Sequence, residues 1–440
     1  MRMTTIAAAL MLLTVAACSR TETTDSGNPV SNAAHKVAEK VTDTFDAVGP
    51  VSGKDESDMA ALRKQRSDEN WRRLRSFQAQ EAAKQQAAQQ QQATQQQQAA
   101  QEQAAQQQQS AAAQAIQFAP PTTKESFKNL DPAAMAQMPV RVPIKGDVEG
   151  PSVLKAQVYL DRSDFSVGAL DGQWGKNSAV TTYWFQRANG LPATGDVDEA
   201  TFRALATRAG NAPPLVEYAL SAEDLKGPFV KIPENVYDKE KLDCLCYETL
   251  LEELAEKFHA TQDFLQRMNP SVKFAEAAEG QKLLVPNIRP PVEEGQAPAI
   301  AKIAISVAGN SFTAFDANNN VVFHAPTTLG NKYDPSPNET VKIVAIARNP
   351  NFHYQPTLFH EVPDSDPEAH LKPGPNNPVG RVWMALSKPH FGIHGTENPE
   401  SIGYASSHGC VRLTNWDAVE VSNRVSKGVE VSFVDTRKSE

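Results

Sequence analysis

The chain has 440 residues, a formal net charge of −9 at pH 7 and four cysteines. This length predicts about two to four domains, and the cysteines are too few for a disulfide-stabilised scaffold. The negative charge, with no basic block that could neutralise phosphates, argues against a nucleic-acid partner.

The N-terminus has the features of a secretory signal. Residues 6–15 form an apolar segment too short to span a bilayer, after a positively charged start. The run Val15-Ala16-Ala17-Cys18 resembles the lipobox of bacterial lipoproteins, which implies a signal peptide over residues 1–17 and lipidation of Cys18. Such an anchor attaches a protein to a membrane, and Ser19 implies the periplasmic face of the outer membrane. A plain secretory peptide cleaved at the same place is the alternative.

Residues 18–145 have the composition of a tether. Glycine and proline are absent between Lys54 and Ala119, and from Gln78 onward this segment is almost wholly alanine and glutamine. Both residues favour helix, but no large apolar residues mark a packed face. A long solvated helix and a disordered spacer therefore both remain open. A helix over residues 67–117 would be roughly 75 Å long, a reach suited to a polymer that lies away from the membrane.

Residues 146–208 predict a small α-helical module. Apolar residues recur at helical spacing over 153–160, 179–188 and 198–207, with glycines between these segments. The order of elements resembles the three-helix peptidoglycan-binding domain, which implies the cell-wall glycan as a partner. The matching positions are Asp171, Gly172, Trp174, Gly175, Phe185, Gln186, Gly190, Leu191, Gly195 and Thr201. Most of them are expected to serve the core and the turns, so no wall contact is assigned.

Residues 215–290 predict a second accessory module. Two short helices are expected over 250–258 and 261–268, followed by a strand over 281–286. These stretches resemble the glycan-binding LysM module. Its usual first strand is not evident in the sequence, so a purely structural helical hairpin is equally open. Cys244 and Cys246 have one residue between them. A disulfide across this spacing would be strained, which favours either reduced thiols or a labile disulfide.

Residues 298–436 predict a mostly-β domain. Alternating patterns indicate strands over 302–307, 311–316, 321–325, 341–347, 381–386 and 429–434. One late helix is predicted from a cap at Thr414 to Gly428, and its N-terminal dipole could favour a thiolate at Cys410. The loop over residues 349–380 holds seven prolines and three histidines. We expect this loop to flank the functional site, with its histidines at the surface.

The segment of residues 393–413 carries the chemistry. It holds Cys410, with His408 two residues before it and His394 further upstream. A thiol acts as a nucleophile in its thiolate form and needs a partner that takes its proton. Histidine suits that task near neutral pH. A tight Gly409-Cys410 turn could also direct backbone N–H groups at a developing oxyanion, so an acyl-transfer site is predicted.

The motifs His394-Gly395-Thr396 and Ser407-His408-Gly409-Cys410-Val411-Arg412-Leu413 resemble the signature of the L,D-transpeptidase catalytic domain of bacterial peptidoglycan enzymes. The resemblance implies a β-sandwich-like domain in which Cys410 is the nucleophile and His394 its base. The carbonyl of Gly395 would orient the imidazole.

The same resemblance assigns the surroundings of the thiol. His408 would help to shape the site, and backbone N–H groups around Gly409 and Cys410 would form the oxyanion hole. Arg412 has the planar, fixed charge that could hold a substrate carboxylate, and Ser407 is expected to contribute to substrate binding. No cofactor and no metal are expected.

Two other interpretations of the motif remain. Cys410 could be a buried thiol beside structural histidines, or His394, His408 and Cys410 could bind zinc. The short ligand spacings typical of zinc sites are absent, which disfavours the second.

The implied reaction releases D-alanine from tetrapeptide stems and forms 3-3 cross-links between stems. An L,D-carboxypeptidase, an enzyme that anchors lipoproteins to the wall, and an inactive wall-binding lipoprotein are the alternatives.

Overall fold

The structure is a computed structural model. It describes residues 115–128 and 131–434, together with a subset of the residues between 61 and 104. The predicted signal peptide, the lipobox with Cys18 and residues 435–440 lie outside the described residues. None of the described helices combines the length and the hydropathy that a membrane crossing requires.

The chain divides into two units, Met1–Gln98 and Ala99–Glu440. In the first unit, the described residues between 61 and 98 have helical backbone and exposed side chains. This agrees with the solvated-helix interpretation of the tether for those residues.

The prediction that the tether extends to residue 145 is wrong. Strand β1 (Phe118–Ala119) pairs in parallel with β2 (Val140–Arg141), and helix α1 (Pro132–Gln137) lies between them in the sequence. Met135 of α1 is fully buried in the core of the helical module. These elements are too short to produce a visible apolar period, so the sequence did not reveal them.

The helical module contains the three predicted helices, α2 (Pro151–Asp161), α3 (Lys176–Ala188) and α4 (Glu199–Arg208). The side chain of Asp198 caps α4 by accepting the amide of Thr201, as expected for an N-cap aspartate. Phe185 and Phe202 are buried, and Leu191 packs partly buried against the same core. Every residue of α2 is buried, so this helix is covered on all sides.

The second module is a β–α–α–β unit with one additional single-turn helix after its first strand. Strand β3 (Leu215–Ala219) pairs antiparallel with β4 (Lys282–Pro286), and α5 (Val236–Lys239), α6 (Leu250–Lys257) and α7 (Gln262–Met268) lie between them. Strand β3 was not predicted, because only Leu215 of this strand is buried and no clear apolar alternation results. Cys244 and Cys246 form a disulfide, so of the two predicted states the structure contains the bonded one.

The third module is mostly β with one late helix, as predicted. Eight of its strands form one sheet in the order β13-β12-β11-β8-β14-β5-β6-β7. They are β5 (Lys302–Ser306), β6 (Ser311–Phe315), β7 (Val321–Pro326), β8 (Thr340–Arg348), β11 (Val382–Leu386), β12 (Gly392–His394), β13 (Val411–Arg412) and β14 (Glu430–Val434). A separate hairpin, β9 (Phe352–Tyr354) with β10 (Ala369–Leu371), lies within the long proline-rich loop.

Helix α8 (Asn415–Arg424) packs against the sheet through Ala418 and Val421. Its N-cap is Thr414, whose hydroxyl accepts the amide of Asp417 at 3.2 Å, as the sequence predicts. The helix ends at Arg424, well before Gly428, because the backbone at Val425 is already extended. Three short 3-10 turns, Phe274–Glu276, Pro356–Leu358 and Pro399–Ser401, complete the described elements.

Candidate active site

The register of two short parallel strands brings the motif residues together. Ile393 of β12 pairs with Val411 of β13, and His394 pairs with Arg412. Side chains alternate between the two faces of a strand, so His394, Arg412 and Cys410 lie on one face. Ile393 and Val411 point the other way and are fully buried in the core. The motif therefore places its polar groups on the face turned away from the hydrophobic core.

An aromatic ring supports His394 from the neighbouring strand. Trp383 of β11 is directly opposite His394, and the two rings stack at 5.4 Å between centroids. The indole also lies over Gly392, where an added Cβ would come within 2.6 Å of the ring. Gly392 is thus required so that the indole can lie beside His394.

The imidazole of His394 is held in a defined tautomer. Its Nδ1 is 2.7 Å from the carbonyl oxygen of Gly395, which can only accept, so Nδ1 carries the proton and Nε2 is free to accept one. Burial and the positive charge of Arg412 lower the pKa of His394 to about 3, and the Gly395 carbonyl only partly opposes them. The ring is therefore neutral near pH 7. The predicted contact between His394 and Gly395 is present.

Cys410 is the free cysteine of the described chain and lines the same cavity as His394. Burial raises the pKa of its thiol, while the backbone amide of Gly392 and the charge of Arg412 act in the opposite direction. The thiol points at the carbonyl oxygen of His390, 3.7 Å away. Among the described residues no hydrogen bond joins Cys410 to His394, so a rotation of the cysteine side chain is needed to unite them. An effect of the α8 dipole on this thiol stays a prediction.

The structure corrects the roles predicted for Ser407 and Gly409. Ser407 is 1 % exposed, and its hydroxyl donates to the carbonyl of Cys410 at 2.6 Å. The hydroxyl oxygen of Ser407 also accepts a hydrogen bond from the amide of Gly409 at 3.2 Å. The prediction that Ser407 binds substrate is therefore wrong, because its side chain braces the turn from inside. The amide of Gly409 is occupied as well, because it donates to the Ser407 hydroxyl.

His408 lies at the edge of the site and is about one-third exposed. Its Nε2 is 2.7 Å from a carboxylate oxygen of Glu361, and its ring packs edge-on against Phe359. Both partners belong to the proline-rich loop. His408 thus connects residues 407–410, which we call the catalytic turn, to that loop. This contact is compatible with the predicted shaping role.

Arg412 lines the cavity and keeps part of its guanidinium free. Its backbone is fixed on both sides by Thr328, through N–H···O contacts of 2.9 and 3.1 Å. The buried Nε of Arg412 has no hydrogen-bond partner among the described residues. A fixed positive charge with unused donors is suited to a carboxylate.

The cavity around these groups has a volume of about 800 Å³. Its floor is the sheet face with Trp383 and His394, and the proline-rich loop supplies one wall, as predicted. Aromatic rings dominate that wall and rim: Phe352, Tyr354, Phe359 and Phe391. This aromatic lining was not predicted, because the rings come from separate segments with no common spacing in the sequence.

The comparisons with known proteins agree with this geometry. Residues 301–432 match the family model of the L,D-transpeptidase catalytic domain, and residues 149–205 match a "Putative peptidoglycan binding domain". The chain is 31 % identical over 183 residues to "Putative L,D-transpeptidase YkuD" of Bacillus licheniformis, covering 42 % of this chain and 92 % of that protein. Its counterpart in Bacillus subtilis is 30 % identical over the same shares. The chain belongs to the L,D-transpeptidase family.

Two solved structures are also similar to parts of this L,D-transpeptidase. L,D-transpeptidase 3 of Mycobacterium tuberculosis, in complex with a faropenem-derived adduct, has 17 % identity and a TM-score of 0.26 over 36 % of this chain and 75 % of that one. A cysteine-to-serine mutant of the Enterococcus faecium L,D-transpeptidase has 13 % identity and a TM-score of 0.25. That match covers 31 % of this chain and half the length of the other.

An amide side chain from α8 supports the loop that follows His394. The Oδ1 of Asn415 accepts the amides of Arg381 at 3.0 Å and Thr396 at 3.2 Å. An added Cβ at Gly395 would come within 2.1 Å of this oxygen. The Nδ2 of Asn415 in turn donates to the carboxylate of Glu256 in α6 at 3.0 Å. Through Glu256, the second module therefore helps to fix the Gly395 carbonyl that orients His394.

The accessory module also holds the proline-rich loop. The amide of Leu245, between the two bonded cysteines, donates to the carbonyl of Pro373, and the carbonyl of Leu245 accepts the amide of Asn376, both at 3.0 Å. The Leu245 side chain is buried against Ala369 and Leu371 of the loop. The disulfide therefore flanks the residue through which the second module contacts the loop, a position that the spacing of the two cysteines did not indicate.

The zinc interpretation of the motif is not supported. His394, His408 and Cys410 do not bring their ligand atoms together in the described part of the chain. The group there that meets a 4.8 Å limit between ligand atoms is Asp334, His360 and His408.

Proposed function

We propose that this L,D-transpeptidase acts on peptidoglycan through a thioester on Cys410. One arrangement carries the proposal: the free Nε2 of His394 shares with Cys410 and Arg412 the sheet face that lines the cavity. The match to a peptidoglycan-binding domain supports the wall polymer as the substrate.

The first half of the reaction forms the acyl-enzyme. Cys410 Sγ attacks the carbonyl carbon of the third residue of a tetrapeptide stem, and the thiol proton passes to Nε2 of His394. When the tetrahedral intermediate collapses, the carbon–nitrogen bond breaks and His394 returns that proton to the leaving amine of D-alanine. The stem remains as a thioester on Cys410.

The second half transfers the stem to an acceptor. The side-chain amine on the third residue of another stem attacks the thioester carbon while His394 takes a proton from this amine. The carbon–sulfur bond breaks, the proton returns to the sulfur, and a 3-3 cross-link is released. Water as the acceptor would give carboxypeptidase activity instead.

The resting protonation state follows from burial. Burial and the charge of Arg412 lower the pKa of His394 to about 3, so its Nε2 carries no proton at physiological pH. The cysteine side chain first turns from the His390 carbonyl toward His394, a tightening that is common when a substrate enters. The Cys410 amide then serves the oxyanion, and Arg412 binds the terminal carboxylate of the donor stem.

The test is to incubate the purified chain with tetrapeptide stems and identify the products by mass. We expect D-alanine release, a stem–enzyme adduct and cross-linked dimers. Cys410→Ala should abolish all three, and His394→Ala should reduce the rate by about 10²- to 10⁴-fold. His370→Ala, an exposed histidine of the loop, is the matched control and should remain active. A Cys410→Ala protein that still released D-alanine would overturn the proposal, and tripeptide as the sole product would favour the carboxypeptidase.

We also propose that Cys18 is lipidated and holds the protein at the periplasmic face of the outer membrane. The lipobox-like run before Cys18 and Ser19 after it support this placement. Cys18→Ser should move the protein from the membrane fraction to the soluble fraction of fractionated cells, and an unchanged distribution would argue against the anchor. Glycan binding by the β–α–α–β module, through its resemblance to LysM, stays a prediction.

A further inference from the structure

A cluster of metal-ligating side chains lies beside the cavity. Asp334, His360 and His408 each offer a ligand atom, and these atoms lie within 4.8 Å of one another. The three residues come from separate segments: the stretch between β7 and β8, the proline-rich loop and the catalytic turn. None of the steps proposed for the transpeptidation uses Asp334 or His360.

The two ring nitrogens of His408 have different surroundings. Its Nε2 is engaged by the carboxylate of Glu361 at 2.7 Å. Its Nδ1 is buried and has no hydrogen-bond partner among the described residues. A carboxylate on one ring nitrogen fixes the ring and raises the basicity of the other, which is the usual second-sphere arrangement at histidine ligands. A cation would satisfy the nitrogen that is otherwise left without a partner.

The other two residues are already drawn together. His360 Nδ1 is 3.0 Å from Asp334 Oδ2, and the ring of His360 lies 6.1 Å from that of His408 between centroids. The segment that carries Asp334 is also attached to the turn that carries His408, because the hydroxyl of Ser336 donates to the carbonyl of Gly409 at 2.9 Å. The ligand atoms therefore need only a small contraction to reach metal-bonding distances.

The donor set selects the class of ion. Two imidazole nitrogens and one carboxylate suit zinc and the neighbouring divalent transition metals. Calcium and magnesium prefer all-oxygen sites. Three protein ligands also leave a position for water, as at open zinc sites.

We propose that Asp334, His360 and His408 bind a divalent transition-metal ion, with Zn²⁺ as the best match. The ion joins the proline-rich loop to the catalytic turn, because His360 belongs to the first and His408 to the second. Phe359, next to His360, lines the cavity, so metal binding fixes this wall and restricts entry to the thiol. This proposal does not depend on the thioester reaction proposed above, because none of its evidence involves Cys410.

The first experiment separates this site from the thiol. The full chain and its Cys410→Ala variant are titrated with Zn²⁺ by calorimetry and with Co²⁺ by visible absorption. We expect one ion per chain in both proteins, with visible cobalt bands and no sulfur-to-cobalt charge-transfer band. Loss of binding in Cys410→Ala would mean that the thiol is a ligand and would overturn the proposal.

The second experiment identifies the ligands in the Cys410→Ala background, where failure of the proposed catalysis cannot affect the result. His360→Ala and Asp334→Asn should each weaken Zn²⁺ binding at least tenfold, and Glu361→Gln by about 10- to 100-fold through the lost support of His408. His370→Ala, in the same loop, is the control and should bind like the parent. Thermal unfolding without metal checks that each variant is folded. Unchanged affinity in His360→Ala, or equal losses in His370→Ala, would show adventitious surface binding and refute the site.

Discussion

At the scale of single residues, the site is defined by the polar atoms that remain unengaged. His394 uses Nδ1 to bind the Gly395 carbonyl and keeps Nε2 available. Arg412 keeps Nε without a partner among the described residues. Ser407 and the Gly409 amide, by contrast, are consumed within the turn. The first two groups can therefore act on a substrate, whereas the second two hold the thiol in place.

Arg412 gives a prediction at this scale. Replacing it with Gln removes a charge-assisted hydrogen bond to the substrate carboxylate, a contact worth about 1.5–3 kcal/mol. We expect kcat/KM for the tetrapeptide donor to fall by about 10- to 150-fold. Steady-state kinetics of D-alanine release measure this change.

The control for Arg412 lies in the substrate. A stem whose terminal carboxylate is converted to an amide should be a poor donor for the wild type and for Arg412→Gln alike. If the variant discriminates between the two stems as strongly as the wild type does, Arg412 does not bind the carboxylate.

The sequence predicted the central residues of the site but not their surroundings. The resemblance of the motif to the family signature identified Cys410, His394 and Gly395, and the structure places the first two in one cavity. The motif could not show that the Ser407 side chain points inward, because the direction of a side chain in a turn depends on backbone angles. Trp383 was missed for a related reason: its contact with His394 depends on the register of β11 and β12, which distant sequence segments do not reveal.

At the scale of elements, the contact of α6 with α8 connects the accessory module to the site. Glu256 of α6 is bonded to Asn415 of α8 and accepts the hydroxyl of Tyr247 at 3.1 Å. Burial raises the pKa of Glu256 to about 7, although hydrogen bonds from Asn415 and the charge of Arg381 oppose this. The carboxyl is therefore near its midpoint under physiological conditions.

Glu256 predicts a pH dependence of stability. Its pKa is raised on folding above the ordinary value of about 4.3, so the folded state binds the proton more tightly. The resulting stabilisation is fully present below about pH 4 and is lost as the pH rises through about 7. Glu256→Gln resembles the protonated form and should lose less stability than the wild type between pH 5.5 and 8.5, as measured by urea unfolding.

The control for this prediction is Glu279→Gln, which changes an exposed glutamate of the same module. Its pH dependence should match that of the wild type. If Glu256→Gln and the wild type lose equal stability over this interval, the carboxyl does not titrate there.

Element prediction succeeded where period and caps were strong. The alternating strands β5, β6 and β7 and the capped helix α8 were recognised from local sequence. The two-residue β13 and three-residue β12 were not, since strands this short carry no period. They are formed by tertiary pairing, and they are also the strands that bring His394 beside Arg412.

At the scale of the whole chain, one buried arginine joins the three folded modules. Arg289, which follows the β–α–α–β module, pairs with Asp161 of α2 at 2.5 Å and with Asp417 of α8 at 2.6 Å. It also contacts Glu420 of α8. Burial alone would raise the pKa of Asp161, but the charges of Arg289 and His259 prevail and lower it to about 2.

Arg289 gives a prediction for the stability of the assembly. Arg289→Met removes the positive charge that buried carboxylates from two modules share, and removing one partner of a buried pair typically costs about 3–5 kcal/mol. We expect a corresponding fall in the free energy of unfolding, measured with urea.

The control is Lys226→Met, which removes an exposed ion pair with Glu223. Pairs of this kind contribute only about 0–1 kcal/mol. An equally small loss in Arg289→Met would show that the buried cluster does not hold the modules together.

The anchoring of the proline-rich loop by Leu245 sets a limit on how far the enzyme can be trimmed. A fragment cut to residues 301–432, the span of the family model, would retain the sheet, the thiol and the imidazole. It would lose the backbone partners of Pro373 and Asn376 and the cover over Leu371. Ile232 packs against the same cluster, so a fragment that keeps this support of the loop starts upstream of residue 232, and the second module is part of the body that holds the loop in place.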